Sequence, residues 1–96
     1  MKTFAVTINS GTPLQRNAIT TFFSGKEYPV WHWIDDFWIV QTDAEQTPSS
    51  IYESISRLPP ISAKTMLVFE IEQPIRYWGM NQKQAWDWLS KVGFSE

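Results

Sequence analysis

The side chains able to do chemistry gather in one short stretch, Val30 to Thr42, which reads VWHWIDDFWIVQT. His32 is the only histidine of the chain, so no histidine pair exists to ligate a metal or relay a proton. As a general base it needs a partner within hydrogen-bond reach, and Asp35 and Asp36 are the nearest carboxylates in sequence. Adjacent strand residues point to opposite faces, so these two aspartates suit a tight turn better than a catalytic pair. Trp31, Trp33 and Trp38 could stack on unpaired bases. No positive charge flanks them, which favours packing against a partner or a tail. Asn9, with Ser10 beside it, closes the first apolar run; an asparagine there caps the strand end and bonds the following loop. Glu70 and Glu72 share one strand face and read as solvated. A Gly-rich phosphate loop, a nucleophile elbow and zinc-ligand spacing are all missing from the sequence.

The elements that must position these residues follow from the pattern of the chain. Around Asp35-Asp36 the two alternating, aromatic-rich runs predict a β-hairpin. With the aspartates at the turn, Trp33 should face Trp38 and Ile34 should face Phe37. Trp31, Trp33, Trp38 and Val40 would then share one face, and Val30, His32, Ile34, Phe37 and Ile39 the other. Both faces are apolar, whereas a sheet with one wet face alternates apolar with polar. So short a chain covers one face with its own helices more easily than two, and the second face is expected to meet another copy.

Thr3 to Asn9 predicts a first strand with Phe4, Val6 and Ile8 on one side. Thr12 and Pro13 open a helix whose stripe is Leu14, Ala18, Ile19, Phe22 and Phe23, stopped by Gly25. Thr47-Pro48 repeats that start, with Ile51, Ile55 and Leu58 buried and Pro59-Pro60 at the end. Thr65 to Glu72 is a fourth strand, with Leu67, Phe69 and Ile71 on one face and Met66 and Val68 on the other. Strand, helix, strand, strand, helix, strand is the ferredoxin-like βαββαβ order of an α+β fold, a four-stranded antiparallel sheet with both helices on one face. A C-terminal strand and helix extension follows: Pro74 to Met80 is extended, and Asn81 caps a last helix of Ala85, Trp86, Trp88, Leu89 and Val92, closed by Gly93. That helix covers the open sheet face or reaches a partner subunit.

Composition narrows the function classes. Ninety-six residues at 43% hydrophobic suit a single domain, 1–96, with one modest core. Six Trp, six Phe and three Tyr exceed what that core needs and favour an oligomer. The net charge is −2 and the eight basic residues are scattered, so nucleic acid remains a possible partner without a basic patch to hold it. Absence of Cys removes disulfides and thiolate chemistry and fits a reducing cytoplasm. The opening run is too short for a signal peptide and no stretch spans a bilayer, so a cytoplasmic protein without membrane contact is expected.

Two blocks resemble a known family. Trp31-His32-Trp33-Ile34-Asp35-Asp36-Phe37-Trp38-Ile39-Val40 resembles the tryptophan-histidine, aspartate, tryptophan-isoleucine-valine signature of SinR-like proteins. Trp78-Gly79-Met80-Asn81, followed by Ala85, Trp88 and Leu89, resembles their closing pattern. SinR-like proteins are similar in fold to the CRISPR-associated Cas-two proteins and to VapD-type ribonuclease toxins. The resemblance implies a ferredoxin-like, Cas-two-like homodimer whose sheets face each other, with a fifth strand or tail crossing to the neighbour. Cutting Cas-two proteins keep an aspartate at the end of the first strand to hold a divalent metal, and Asn9 stands at the matching place. A neutral amide holds a hard cation weakly.

The expectation is therefore a non-catalytic dimeric module that binds protein or nucleic acid in a bacterial or phage defence or mobile-element setting. Trp31, Trp33, Trp38, Val40, Trp78 and Trp88 would carry the dimer or partner contacts, with no metal and no cofactor. The alternative is a metal-dependent endoribonuclease of the Cas-two/VapD type, in a toxin–antitoxin setting, using magnesium or manganese with Asn9, Ser10, His32 and Asp35 as its candidate catalytic residues.

Overall fold

The computed structural model describes residues 1–61, 64–72 and 75–95. Among these residues, six strands and three α-helices follow in the order β1 (Lys2–Ile8), α1 (Pro13–Gly25), β2 (Val30–Ile34), β3 (Phe37–Thr42), α2 (Pro48–Ser56), β4 (Met66–Ile71), β5 (Ile75–Arg76), α3 (Lys83–Lys91) and β6 (Phe94–Ser95). A short 3-10 turn, Pro59–Ile61, lies between α2 and β4. β1 to β4 form an antiparallel sheet in the order β2-β3-β1-β4. This is a small α+β protein whose architecture is compatible with a ferredoxin-like fold. Among the described residues, no helix is long and apolar enough to cross a membrane.

Both sheet-side helices begin as their sequences dictate. Thr12 accepts the Gln15 backbone N–H while the Gln15 side chain accepts the Thr12 N–H, and Pro13 occupies the first turn. Thr47, Ser50 and Pro48 repeat the device for α2. Each reciprocal pair satisfies two amide groups that a helix start otherwise leaves open. The buried stripe of α1 is narrower than expected: Ile19 and Phe23 are sealed, whereas Leu14 lies mostly in solvent. Gly25 is still helical, Lys26 is the cap, and the left-handed backbone falls at Glu27, with φ of 61°.

The first core lies between α1, α2 and one sheet face. It joins Phe4, Val6 and Ile8 of β1 to Trp38 and Val40 of β3, closed by Ile19, Phe23, Ile51, Ile55 and Ile61. The second core lies on the opposite face. There Trp31 and Ile39 meet Ala85, Leu89 and Phe94 of the extension, with Trp86 and Trp88 half-buried around them.

The hairpin departs from its expected register. Ile34 does face Phe37 across the Asp35-Asp36 turn, but Trp31 faces Ile39 and Val30 faces Val40. Two residues, His32 and Trp33, therefore stand against the single Trp38, which makes a β-bulge. Side-chain period is two, so one extra residue exchanges the faces of everything beyond it. The grouping of Trp31, Trp33, Trp38 and Val40 on one face is thereby corrected. Trp38 and Val40, both 0% exposed, belong to the helix-side core, while Trp31 belongs to the opposite one.

The extension folds back on its own sheet. Trp31 Nε1 donates to the Ala85 carbonyl at 3.0 Å, a buried bond that ties α3 to β2. β5 pairs in parallel with β6 as a separate two-stranded ribbon. Of the expected extended segment, Pro74 lies outside the described residues. The cap of α3 is Gln82, not Asn81; Asn81 Oδ1 instead accepts the Gln82 N–H at 2.8 Å.

Candidate functional site

The polar candidates collect where β1 ends, α1 begins and the hairpin turns. Arg16, Thr20 and Phe23 recur at helical spacing, which aligns them along one side of α1. Arg16 meets the turn: its Nε donates to Asp36 Oδ1 at 3.0 Å, and Nη1 lies 3.8 Å from Asp35 Oδ2. Asp36 Oδ2 also accepts the Gly11 N–H at 3.3 Å. The Arg16 hydrogen bond, seconded by Gly11 and by the charges of Arg16 and Lys64, holds the Asp36 carboxyl below the usual carboxylate range. The Asp36 carbonyl accepts from the Ile8 N–H at 3.0 Å and the Thr7 hydroxyl at 2.9 Å. A Cβ on Gly11 would stand 2.6 Å from Asp36 Oδ1 and 2.7 Å from Ile8 Cδ1. A side chain at Gly11 therefore has to displace the Asp36 carboxylate that Arg16 holds, or the end of Ile8.

His32 is held between the turn and α1. Its Nε2 is 2.8 Å from the Asp35 carbonyl and its Nδ1 is 3.2 Å from Thr20 Oγ1. A carbonyl only accepts, so Nε2 carries the proton; in the neutral ring Nδ1 then accepts from Thr20. Thr20 Oγ1 in turn accepts from Trp38 Nε1 at 3.0 Å. The donation therefore runs from Trp38 through Thr20 and His32 to the turn. The imidazole also stacks on Trp38, centroids 4.4 Å apart. Both ring nitrogens are committed to structural bonds, which favours positioning over proton transfer.

Asn9 and Ser10 are exposed. The Asn9 N–H donates to the Thr65 carbonyl at 3.2 Å, extending the β1–β4 ladder. Ser10 has φ of 52°, its hydroxyl is 3.5 Å from Asn9 Oδ1, and its carbonyl accepts from Lys64 Nζ at 2.9 Å. Among the described residues, no three His, Asp or Glu side chains come together as a metal-binding group. Asn9, Ser10, His32 and Asp35 occupy one end of the sheet as two separate pairs, the Ser10 hydroxyl on Asn9 Oδ1 and His32 Nε2 on the Asp35 carbonyl.

The other candidate surface is apolar. Between the second sheet face and the strap of residues 77–81 lies a pocket of about 400 Å³, with Trp31, Phe37, Ile39, Tyr77, Trp86 and Phe94 inside it. Around its mouth Ile34 is 55% exposed, Phe69 43%, Trp78 83% and Met80 98%. Leu67, 58% exposed, continues the surface one pleat further along β4. Of the residues expected to contact a partner, Trp33 and Trp78 are exposed, Trp31 and Trp88 pack within the extension, and Trp38 and Val40 are sealed. Ile34, Leu67, Phe69 and Met80 also belong to this surface, though the sequence pattern does not mark them as partner contacts. For Leu67 and Phe69 the signal is the second apolar face of β4, legible once the tail is seen to leave those two side chains uncovered.

Fold and surface define a small α+β protein with one sealed core and one open apolar face. Comparison with protein-family models, with curated proteins and with solved structures gives no match.

Proposed function

We propose that the chain is a non-catalytic, cytoplasmic binding module of Cas-two-like or SinR-like kind. It has a ferredoxin-like fold and works as a homodimer through the open side of its sheet. One observation carries the reading, the continuous apolar surface of Ile34, Leu67, Phe69, Trp78 and Met80. At roughly 200 Å² per fully exposed large side chain, these five expose on the order of 700 Å², against about 800 Å² per partner in a standard interface. Monomers seldom leave a patch of that size in water. The engaged nitrogens of His32 and the Arg16-bound carboxylate of Asp36 support a structural use of the polar cluster.

Sedimentation equilibrium of the purified chain should give a dimer at micromolar concentration. A monomer at that concentration overturns the dimeric reading. Incubation with RNA in magnesium or manganese should leave the RNA intact. Cleavage that survives purification and disappears in His32→Ala would establish the endoribonuclease instead.

A further inference from the structure

The edge of β4 carries information that its exposed face does not. Among the described residues β4 pairs only with β1. Natural edge strands are blunted by proline, lysine, a bulge or shortness. β4 reads MLVFEI, six regular residues with Glu70 as their single charge. Such an edge invites another strand.

The ladder fixes which backbone groups are offered. The bond from Asn9 N–H to the Thr65 carbonyl makes that pair a hydrogen-bonded one, and such pairs recur at every second residue. Leu67, Phe69 and Ile71 therefore turn their backbone groups to Thr7, Ala5 and Thr3 of β1. Met66, Val68 and Glu70 turn theirs outward.

We propose that β4 pairs antiparallel with β4 of a second copy, across a two-fold axis at Val68. This inference rests on the homodimer reading above but moves its central contact from the open face to the edge of β4, with Leu67 and Phe69 the part of that face that lies at the axis. In that register Val68 exchanges both backbone bonds with its symmetry mate, and Met66 does the same with Glu70 of the second copy. Leu67 and Phe69, exposed on the same face, meet as an aliphatic–aromatic cross-strand pair on each side of the axis. Just beyond the strand ends, Lys64, whose Nζ also donates to the Ser10 carbonyl, and Glu72 come opposite one another, so the charges match twice. The two sheets join edge to edge into one of eight strands. The geometry differs from the face-to-face packing that the family resemblance implies.

The chain has no cysteine, so single-cysteine variants can map the axis. Each of Met66, Leu67, Val68, Phe69 and Glu70 is replaced in turn by Cys, with Ile34→Cys and Trp78→Cys as controls on the open face. Thermal melts confirm that each variant folds, and oxidative cross-linking is followed at fixed concentration. Val68→Cys should cross-link fastest, since a directly opposed pair brings Cα atoms to about 5.5 Å, within disulfide range. Lys64→Glu should raise the dimer Kd about threefold to tenfold through two exposed ion pairs, and Lys64→Glu with Glu72→Lys should restore it. A dimer that cross-links best at another position, or is not rescued by the charge exchange, overturns the β4 pairing and leaves the homodimer standing. A folded chain that remains monomeric overturns both.

Discussion

The two faces of one sheet are finished differently. On the helix side the central side chains are enclosed: Trp38, Phe4 and Phe23 are fully buried, and α1 and α2 are held at their starts by reciprocal caps. On the extension side α3 packs on β2 and β3, and Ile71 at the end of β4 joins that core, but Leu67 and Phe69 stay open beside a pocket of about 400 Å³ with an apolar rim. α3 also lacks a side-chain cap bond. The difference teaches where folding energy ends and recognition begins. A face completed by its own chain fixes the fold, and a face completed in part holds apolar surface in reserve for another molecule.

Five measurements can break that contrast or sharpen it. Trp38→Ala removes the largest sealed side chain and its bond to Thr20, and should cost about 3–5 kcal/mol in denaturant unfolding. Leu89→Ala on the extension side should cost less, about 2–3 kcal/mol, because the space created joins an existing pocket instead of forming a closed cavity. Equal losses at the two sites would erase the distinction.

Gly11→Ala pushes a methyl group against the Asp36 oxygen that Arg16 holds, and should cost about 1–3 kcal/mol. Trp78→Ala should change unfolding by about 0.5 kcal/mol or less, as expected of an exposed side chain, while weakening self-association. If it destabilises the fold as Leu89→Ala does, the strap is part of the core and not of the reserve.

The smallest effect is one of pH. Asp36 has its folded-state carboxyl held below the usual range, first by Arg16. Its contribution is therefore complete above the unfolded-state value and lost as pH falls through the lower folded-state value. Asp36→Asn should lower stability at neutral and alkaline pH and flatten the acid limb, so that variant and parent converge at low pH. An unchanged acid limb would show that the ion pair adds nothing to the fold.

Much of this arrangement is legible in the residues. Thr12-Pro13 and Thr47-Pro48 declare two helix starts, and Asp35-Asp36 a two-residue turn, because each is local chemistry. The alternation of Leu67, Phe69 and Ile71 against Met66 and Val68 marks β4 and both its sides. What stays hidden is the bulge: His32-Trp33 has no glycine to announce an extra residue, and the irregularity shows only when the strand is set against Trp38. From that single residue follows the misplacement of Trp31 and Trp38. The Arg16–Asp36 and Thr20–His32 contacts lie 20 and 12 residues apart in sequence, beyond local pattern. Their one trace is the helical spacing of Arg16, Thr20 and Phe23.

The six indoles are spread across these layers, so the molecule carries its own optical labels. Trp38 sits dry beneath α1 against an imidazole ring, which shifts its emission to shorter wavelength and lets histidine quench it. Trp31, Trp86 and Trp88 share the second core, Trp33 is partly exposed on β2, and Trp78 stands in water. Loss of the extension alone would move the red part of the spectrum and leave the Trp38 signal in place. Docking of another molecule on the strap would dim or shift Trp78 with no change in the core. A fluorimeter can thus separate fraying of one layer, melting of the other and occupation of the rim, without a dye or an introduced probe.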